Sequence, residues 1–198
     1  MCPPPEDGHA ETAGTGQDDG VVMPSGDGLP GRTSSSVSVV VRELVPDEWR
    51  LLRALRLAAL SDAAEAFGST YESAASRTEQ EWRAWPARGV PFAAFLGEQR
   101  ARAGVDPVGM VAVTAEAGEP DTAHLIALWV APAVRGTGVG DALIAAVVDR
   151  ARRHGHRGVL LEVLAHNAPA VALYRRNGFL QTVEPAAVPG AITMRRAV

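Results

Sequence analysis

Apolar and polar positions alternate along this chain at two different periods. Val37 to Arg42 is a β-branched run and predicts a first strand. Pro46, with Asp47 and Glu48 behind it, opens a helix that carries Trp49, Leu52, Leu55 and Ala59 at helical spacing. Arg50, Arg53 and Arg56 lie one step round and are placed for its solvated side. Ser61-Asp62 then starts a short second helix through Ala66, and Phe67-Gly68-Ser69-Thr70-Tyr71 breaks it. Glu79 to Trp85 is a further helical piece that ends before Pro86.

Pro91 to Leu96 and Val108 to Thr114 read as the next two strands, with a hairpin connection marked by Gly97-Glu98-Gln99-Arg100 and Gly104. A polar loop, Glu116 to Asp121, leads to a fourth strand, His124 to Val130. An Ala-rich helix from near Gly138 to about His154 follows, then a fifth strand, Gly158 to Leu164. A helix over Ala168 to Arg176 and a closing pair of strands, Leu180–Val183 and Ile192–Arg195, complete the pattern. The order is β-α-α-β-β-β-α-β-α-β-β, which predicts the α+β class: a mixed sheet with helices on its faces. No internal repeat is present.

Composition narrows the classes. Over 198 residues, 46% apolar content is ordinary for a soluble globular protein, and a net charge of −4 argues against nucleic acid as an obligatory partner. No apolar run reaches the ~18–20 residues of a membrane span, and the N-terminus lacks a basic region followed by an apolar one. The single cysteine, Cys2, cannot form an internal disulfide, so cytoplasm is the expected compartment. Residues 1–36 hold six acids and one arginine among Pro, Gly, Ser and Thr, and are expected to form a disordered acidic tail ahead of a domain over 37–198. A docking or regulatory arm is the alternative reading of that tail.

Candidate chemistry centres on Val130-Ala131-Pro132-Ala133-Val134-Arg135-Gly136-Thr137-Gly138-Val139-Gly140. An apolar strand runs into a turn with alternate glycines and then a helix. Unpaired N–H groups at the helix start and the positive end of its dipole suit a phosphate, and glycine removes the side chains that would block close approach. A P-loop needs Gly-Lys-Ser/Thr, and this chain contains no lysine. A Gly-x-Gly-x-x-Gly fingerprint would place its third glycine on Asp141 or Leu143.

What remains, Arg135-x-x-Gly138-x-Gly140 after a strand ending in Val-x-Pro, resembles the acyl-CoA pyrophosphate loop of the GNAT superfamily of N-acetyltransferases. A second stretch, Asn167-Ala168-Pro169-Ala170-Val171-Ala172-Leu173-Tyr174-Arg175-Arg176-Asn177-Gly178-Phe179, is similar to that superfamily's Asn-x-x-Ala-x-x-x-Tyr signature followed by Gly-Phe. The resemblance implies the GNAT fold: a mixed, mostly antiparallel sheet with helices on both faces and a splay between the fourth and fifth strands. It also implies acetyl-CoA as co-substrate, no metal, and transfer of acetyl to a primary amine of a small molecule or peptide by direct attack in a ternary complex.

By the same resemblance, Gly136, Thr137, Gly138, Val139 and Gly140 offer backbone donors to the diphosphate, with Arg135 adding charge. The pantetheine arm pairs as a pseudo-strand with Leu128, Trp129 and Val130 and with the end of the fifth strand near Leu164 and Ala165. Asn167 caps the second helix, and with Ala170 it borders the pantetheine or diphosphate. Tyr174 is the expected general acid for the departing thiolate, its alternative being a core tyrosine. Glu162 is the expected base. The ribosomal-protein N-terminal alanine acetyltransferases carry Leu-Glu-Val at the same offset, as in Leu161-Glu162-Val163, and use that glutamate so. A half-exposed strand glutamate is the alternative; His124 and a water relay are rivals. The segment between the first two strands forms an acceptor wall in this superfamily, making Tyr71, Glu72, Trp82 and Trp85 acceptor candidates. Other readings are a non-catalytic acyl-CoA-binding module and a protein N-terminal or lysine acetyltransferase; a homodimer is left open.

Overall fold

The structure, a computed structural model, describes residues 38–85, 89–115 and 121–198. In chain order its elements are β1 (Val39–Glu43), α1 (Trp49–Asp62), α2 (Tyr71–Ala75), α3 (Glu79–Arg83), β2 (Val90–Leu96), α4 (Glu98–Ala103), β3 (Gly109–Ala115) and β4 (Thr122–Val130). They continue with α5 (Val139–Arg153), β5 (Gly158–Leu164), α6 (Ala168–Arg176), β6 (Leu180–Gln181) and β7 (Ala191–Ala197). Val37, the expected tail over 1–36 and most of the 116–121 loop lie outside the described residues.

The strands form one seven-stranded sheet in the order β1-β2-β3-β4-β5-β7-β6. Neighbours are antiparallel except β4 and β5, which run parallel. The last strand inserts between β5 and β6, pairing with all of β5 from Gly158↔Ala197 to Leu164↔Ala191. β4 and β5 pair only at Thr122↔Gly158, Ala123↔Val159 and His124↔Leu160. Beyond His124 the two part, which is the expected splay.

Helices cover both faces. Val139, Leu143, Ile144, Val147, Val148 and Ala151 recur at helical spacing on α5 and pack with Val171 and Tyr174 of α6 against Val111, Leu125, Leu161 and Met194. On the other face Leu52, Leu55, Ala59 and Leu60 of α1 and Trp82 of α3 pack against Ala93, Phe95, Met110 and Trp129. Leu143 is fully buried in the first layer. Truncating such a side chain to alanine costs about 2–5 kcal/mol.

Five local expectations are corrected. α1 runs unbroken to Asp62, because its apolar stripe continues through Leu60 into the core. Arg56, expected in solvent, is only 8% exposed, since α2 and the Phe67–Thr70 segment fold back over that side of α1. The break at Phe67–Tyr71 is shorter than expected: Thr70 Oγ1 accepts the Ser73 N–H at 3.2 Å and starts α2. The β2–β3 connection contains a helix, α4, which buries Ala101 and ends at Gly104 in the left-handed region (φ +65°). β6 is limited to two residues, whereas β7 is longer than expected.

Candidate functional site

β4 carries the feature on which the site turns. The β3–β4 register moves from Met110↔Trp129 to Ala112↔Ile126, so β4 advances one residue more than β3. The extra residue lies around Ala127, which adopts φ +58°. Such a bulge shifts the alternation of side chains by one. Ala123 and Leu125 face α5, and beyond the bulge Leu128 and Val130 do so, leaving Trp129 on the α1 side. There the Trp129 indole Nε1–H donates to Asp62 Oδ2 at 2.9 Å.

After β4, a helical turn at Pro132–Val134 reverses the chain, and Thr137 Oγ1 donates to the Val134 carbonyl at 2.7 Å to close the loop. Gly136 (φ +80°) and Gly138 (φ +92°) both need the left-handed region, and a Cβ on either would meet open space. α5 starts behind Gly138, whose carbonyl accepts the Ala142 N–H at 3.0 Å. No backbone acceptor is found among the described residues for the N–H groups of Gly136 to Gly140. This is the donor set that a diphosphate requires.

Gly140 serves a different purpose. A Cβ there would come within 3.0 Å of Leu173 Cδ2, so the glycine admits α6 against α5. Val139 is likewise a core side chain, 1% exposed. In this loop, side-chain-free approach is left at Gly136 and Gly138.

Arg135 is held from behind. Its Nε donates to the Val130 carbonyl at 3.0 Å, and its Nη2 pairs with the same Asp62 oxygen that takes the Trp129 indole. The guanidinium therefore braces the loop on β4 and α1.

Tyr174 lies in the core beside the splay, 6% exposed, its ring edge-on to Phe179 at 5.8 Å. The hydroxyl makes no hydrogen bond among the described residues, yet it is not one of the sealed, unpartnered polar atoms. Burial pushes the phenol well above its ordinary range, which keeps the proton on oxygen at neutral pH. Asn167 caps α6 as expected, its Oδ1 accepting the Ala170 N–H at 3.2 Å.

Glu162 shares a sheet face with Leu160 and with His124, the last paired residue before β4 and β5 part. Both carboxylate oxygens are engaged: Oε1 accepts the Ala187 N–H at 2.7 Å and Oε2 the Val188 N–H at 3.1 Å. The side chain thus clasps the loop between β6 and β7. At the end of β5, the Ala165 N–H donates to Gly190 and Leu164 accepts from Asn167, so those groups are already spoken for. The free edge of β5 is limited to residues before Ala165.

Of the acceptor candidates, Tyr71 and Glu72 line a cleft of about 580 Å³ with Leu60, Ser61, Phe67 and Ser69. Trp82 is fully buried, and Trp85 is partly buried against the same core. Among the described residues, no group of three His, Cys, Asp or Glu side chains has the arrangement of a metal site. No described helix is long and apolar enough to cross a membrane.

The profile of the acetyltransferase (GNAT) family matches residues 57–179. With the splayed β4–β5 pair and the open glycine turn, this places the chain in the GNAT acetyltransferase family. A mycothiol acetyltransferase from Arthrobacter sp. is 30% identical over 151 residues, covering 72% of this chain and 42% of that protein. One from Corynebacterium glutamicum is 40% identical over 60 residues, covering 30% of this chain and 20% of its own. The chain thus spans less than half the length of either relative. A PaiA N-acetyltransferase from Thermoplasma acidophilum, solved with coenzyme A, superimposes with a TM-score of 0.58 at 17% identity over 81% of this chain and 99% of its own.

Proposed function

We propose that this protein transfers the acetyl group of acetyl-CoA to a primary amine of a small molecule or peptide, by direct attack within a ternary complex. The observation that carries the reading is the junction of the splay with the bare N-terminus of α5. Beyond His124 both strands lack their β4–β5 partners, and the turn at Gly136–Gly138 has unspent donors. A diphosphate bound at the turn would direct the amide-rich pantetheine arm along the open edge from Leu128 to Val130.

Tyr174 supports the chemistry. Its hydroxyl retains its proton, has no protein partner among the described residues, and would protonate the departing thiolate. Glu162 would take the proton from the amine. Its two loop bonds occupy half of the roughly four lone-pair directions of a carboxylate, leaving room for an amine or a water. A backbone N–H near Leu128–Trp129, at the bulge, would stabilise the charge developing on the thioester oxygen.

The test is thiol release from acetyl-CoA across a broad amine panel, corrected for hydrolysis and paired with mass spectrometry of the products. Amine-dependent release with a product heavier by one acetyl group is expected. Tight coenzyme binding with no turnover on any amine would instead identify a non-catalytic acyl-CoA-binding module.

A further inference from the structure

Arg56 is a buried guanidinium without an anion. It projects from α1 and is 8% exposed. Its Nη2 donates to Ser69 Oγ at 2.9 Å, and its plane stacks on the Phe67 ring at 4.4 Å. Nη1 is sealed from solvent with no partner, and Arg56 forms no ion pair among the described residues. Its nearest like charge, Arg77, stacks on Trp82 at 5.3 Å and also has no carboxylate partner among the described residues. Arg135, by contrast, is paired with Asp62.

Burying a cation without a counter-charge is costly. Desolvation, and then Arg77, push the guanidinium down to about 10, so it remains charged at neutral pH. Ser69 and Phe67, the two groups that Arg56 touches, both line the cleft at the end of α1. Because Ser69 Oγ accepts from Arg56, its own O–H is free to donate into that cleft, with the buried charge behind it. Charge-backed donors of this kind suit a carboxylate.

The cleft and the Asp62 brace share the C-terminal end of α1. Ser61 lines the cleft, and the next residue, Asp62, holds the Trp129 indole and the Arg135 guanidinium. Glu72 supplies a negative wall on the same cleft. That carboxylate suits the ammonium of a zwitterionic acceptor, while Ser69 backed by Arg56 suits its carboxylate.

We infer that the acceptor amine carries a carboxylate, as an amino acid does, and that Ser69 backed by Arg56 receives that carboxylate in the cleft beside Asp62. The inference rests on the acetyl-transfer reading and narrows its acceptor.

The experiment uses the full chain and matched sets of acceptors: L-alanine, L-methionine and L-phenylalanine, each with its amide and its decarboxylated amine. The acid is expected to exceed its amide in kcat/KM by about tenfold or more in at least one set, the range of a hydrogen bond to a charged group. Ser69→Ala should lower kcat/KM for the acid far more than for the amide, erasing that margin, with the KM for acetyl-CoA kept in place. Arg56→Met should do the same where it folds; Ser69→Ala, at a half-buried position, keeps the test available if it does not. Amides accepted as well as acids in every set, or a Ser69→Ala loss shared equally by acid and amide, would overturn the inference and leave acetyl transfer standing. A thermal-shift arm with N-acetyl-L-amino acids and their N-acetyl amides reads the cleft without turnover. Preferential protection by the acids, lost in Ser69→Ala, supports the carboxylate site even if no amine turns over, in which case only the catalytic reading falls. Equal or absent protection, with no turnover, removes both.

Discussion

Asp62, the last residue of α1, accepts the indole N–H of Trp129 at 2.9 Å across 67 positions of sequence. The same oxygen takes the Arg135 guanidinium, so one carboxylate joins α1, the splayed strand and the glycine turn. The ion pair is partly exposed, with the two side chains 51% and 24% accessible, so its contribution to stability is modest. Its effect is positional.

Asp62→Asn should therefore act on coenzyme binding. Loss of the charge-assisted bond to Arg135 is expected to raise the KM for acetyl-CoA by roughly three- to tenfold, the equivalent of about 0.6–1.4 kcal/mol. Arg135→Ala should move the same constant in the same direction, with turnover less affected. Steady-state kinetics at saturating amine measures both. Unchanged constants in both variants would remove the brace from the account of binding.

Tyr174→Phe removes only a hydroxyl that has no protein partner among the described residues, and keeps the ring against Phe179. Thermal stability should stay within about 0.5 kcal/mol of the parent. Turnover should fall by roughly 10²-fold or more if the hydroxyl protonates the thiolate. Full activity with normal stability would make it a packing residue.

Glu162→Gln separates two roles. As a base, Glu162 loses function on protonation, so the substitution should lower turnover and alter the acidic limb of the pH–rate curve. As a clasp on Ala187 and Val188, the glutamine keeps one acceptor and loses the other. A changed KM for the amine with an unaltered pH profile would leave only the clasp, and bulk solvent as the proton acceptor.

Gly140→Ala and Gly138→Ala should fail differently. At Gly140 the new methyl meets Leu173, so overpacking should cost about 1–3 kcal/mol and lower Tm. At Gly138 there is space but φ is +92°, so the strain of about 1–2 kcal/mol falls on the turn itself. Its readout is a raised KM for acetyl-CoA. Calorimetry beside kinetics distinguishes the two.

Acid should loosen the α5–α6 junction. Arg176 donates twice to Asp141 at 2.8 Å and Asn177 adds a bond at 2.7 Å. The Arg176 bonds hold the Asp141 carboxyl below its ordinary value; burial opposes them, and the Asn177 bond adds a smaller push in the same direction as Arg176. A depressed folded-state value contributes stability above the unfolded value of about 3.9, and that contribution disappears as pH falls through the folded one. Asp141→Asn should accordingly be less stable than the parent at pH 7, with the gap closing below about pH 4. Denaturant melts at both pH values check the sign.

Much of this architecture was written in local patterns. Periodic apolar residues located the main helices, β-branched runs located the strands, and the two motif stretches marked the turn at Gly138 and the Asn167-capped helix of Tyr174. These depend on near neighbours in the chain, where spacing translates directly into a shared face or a cap. Contacts between distant segments left no such trace. The bulge at Ala127, which carries neither glycine nor proline as a signal, turns Trp129 from the α5 side to the α1 side, and only β3 pairing across it decides that. Helical spacing put Arg56 one step from the apolar stripe, and packing of the following segment over it decided its burial. Glu162 was legible as a carboxylate in apolar company; that its two oxygens are held by a loop 25 and 26 residues on was not. Sequence by itself determined the elements and the chemistry available to them. Tertiary structure decided which charges are paired, which is buried alone, and which glycine serves packing, because those outcomes depend on what the rest of the chain lays against each residue.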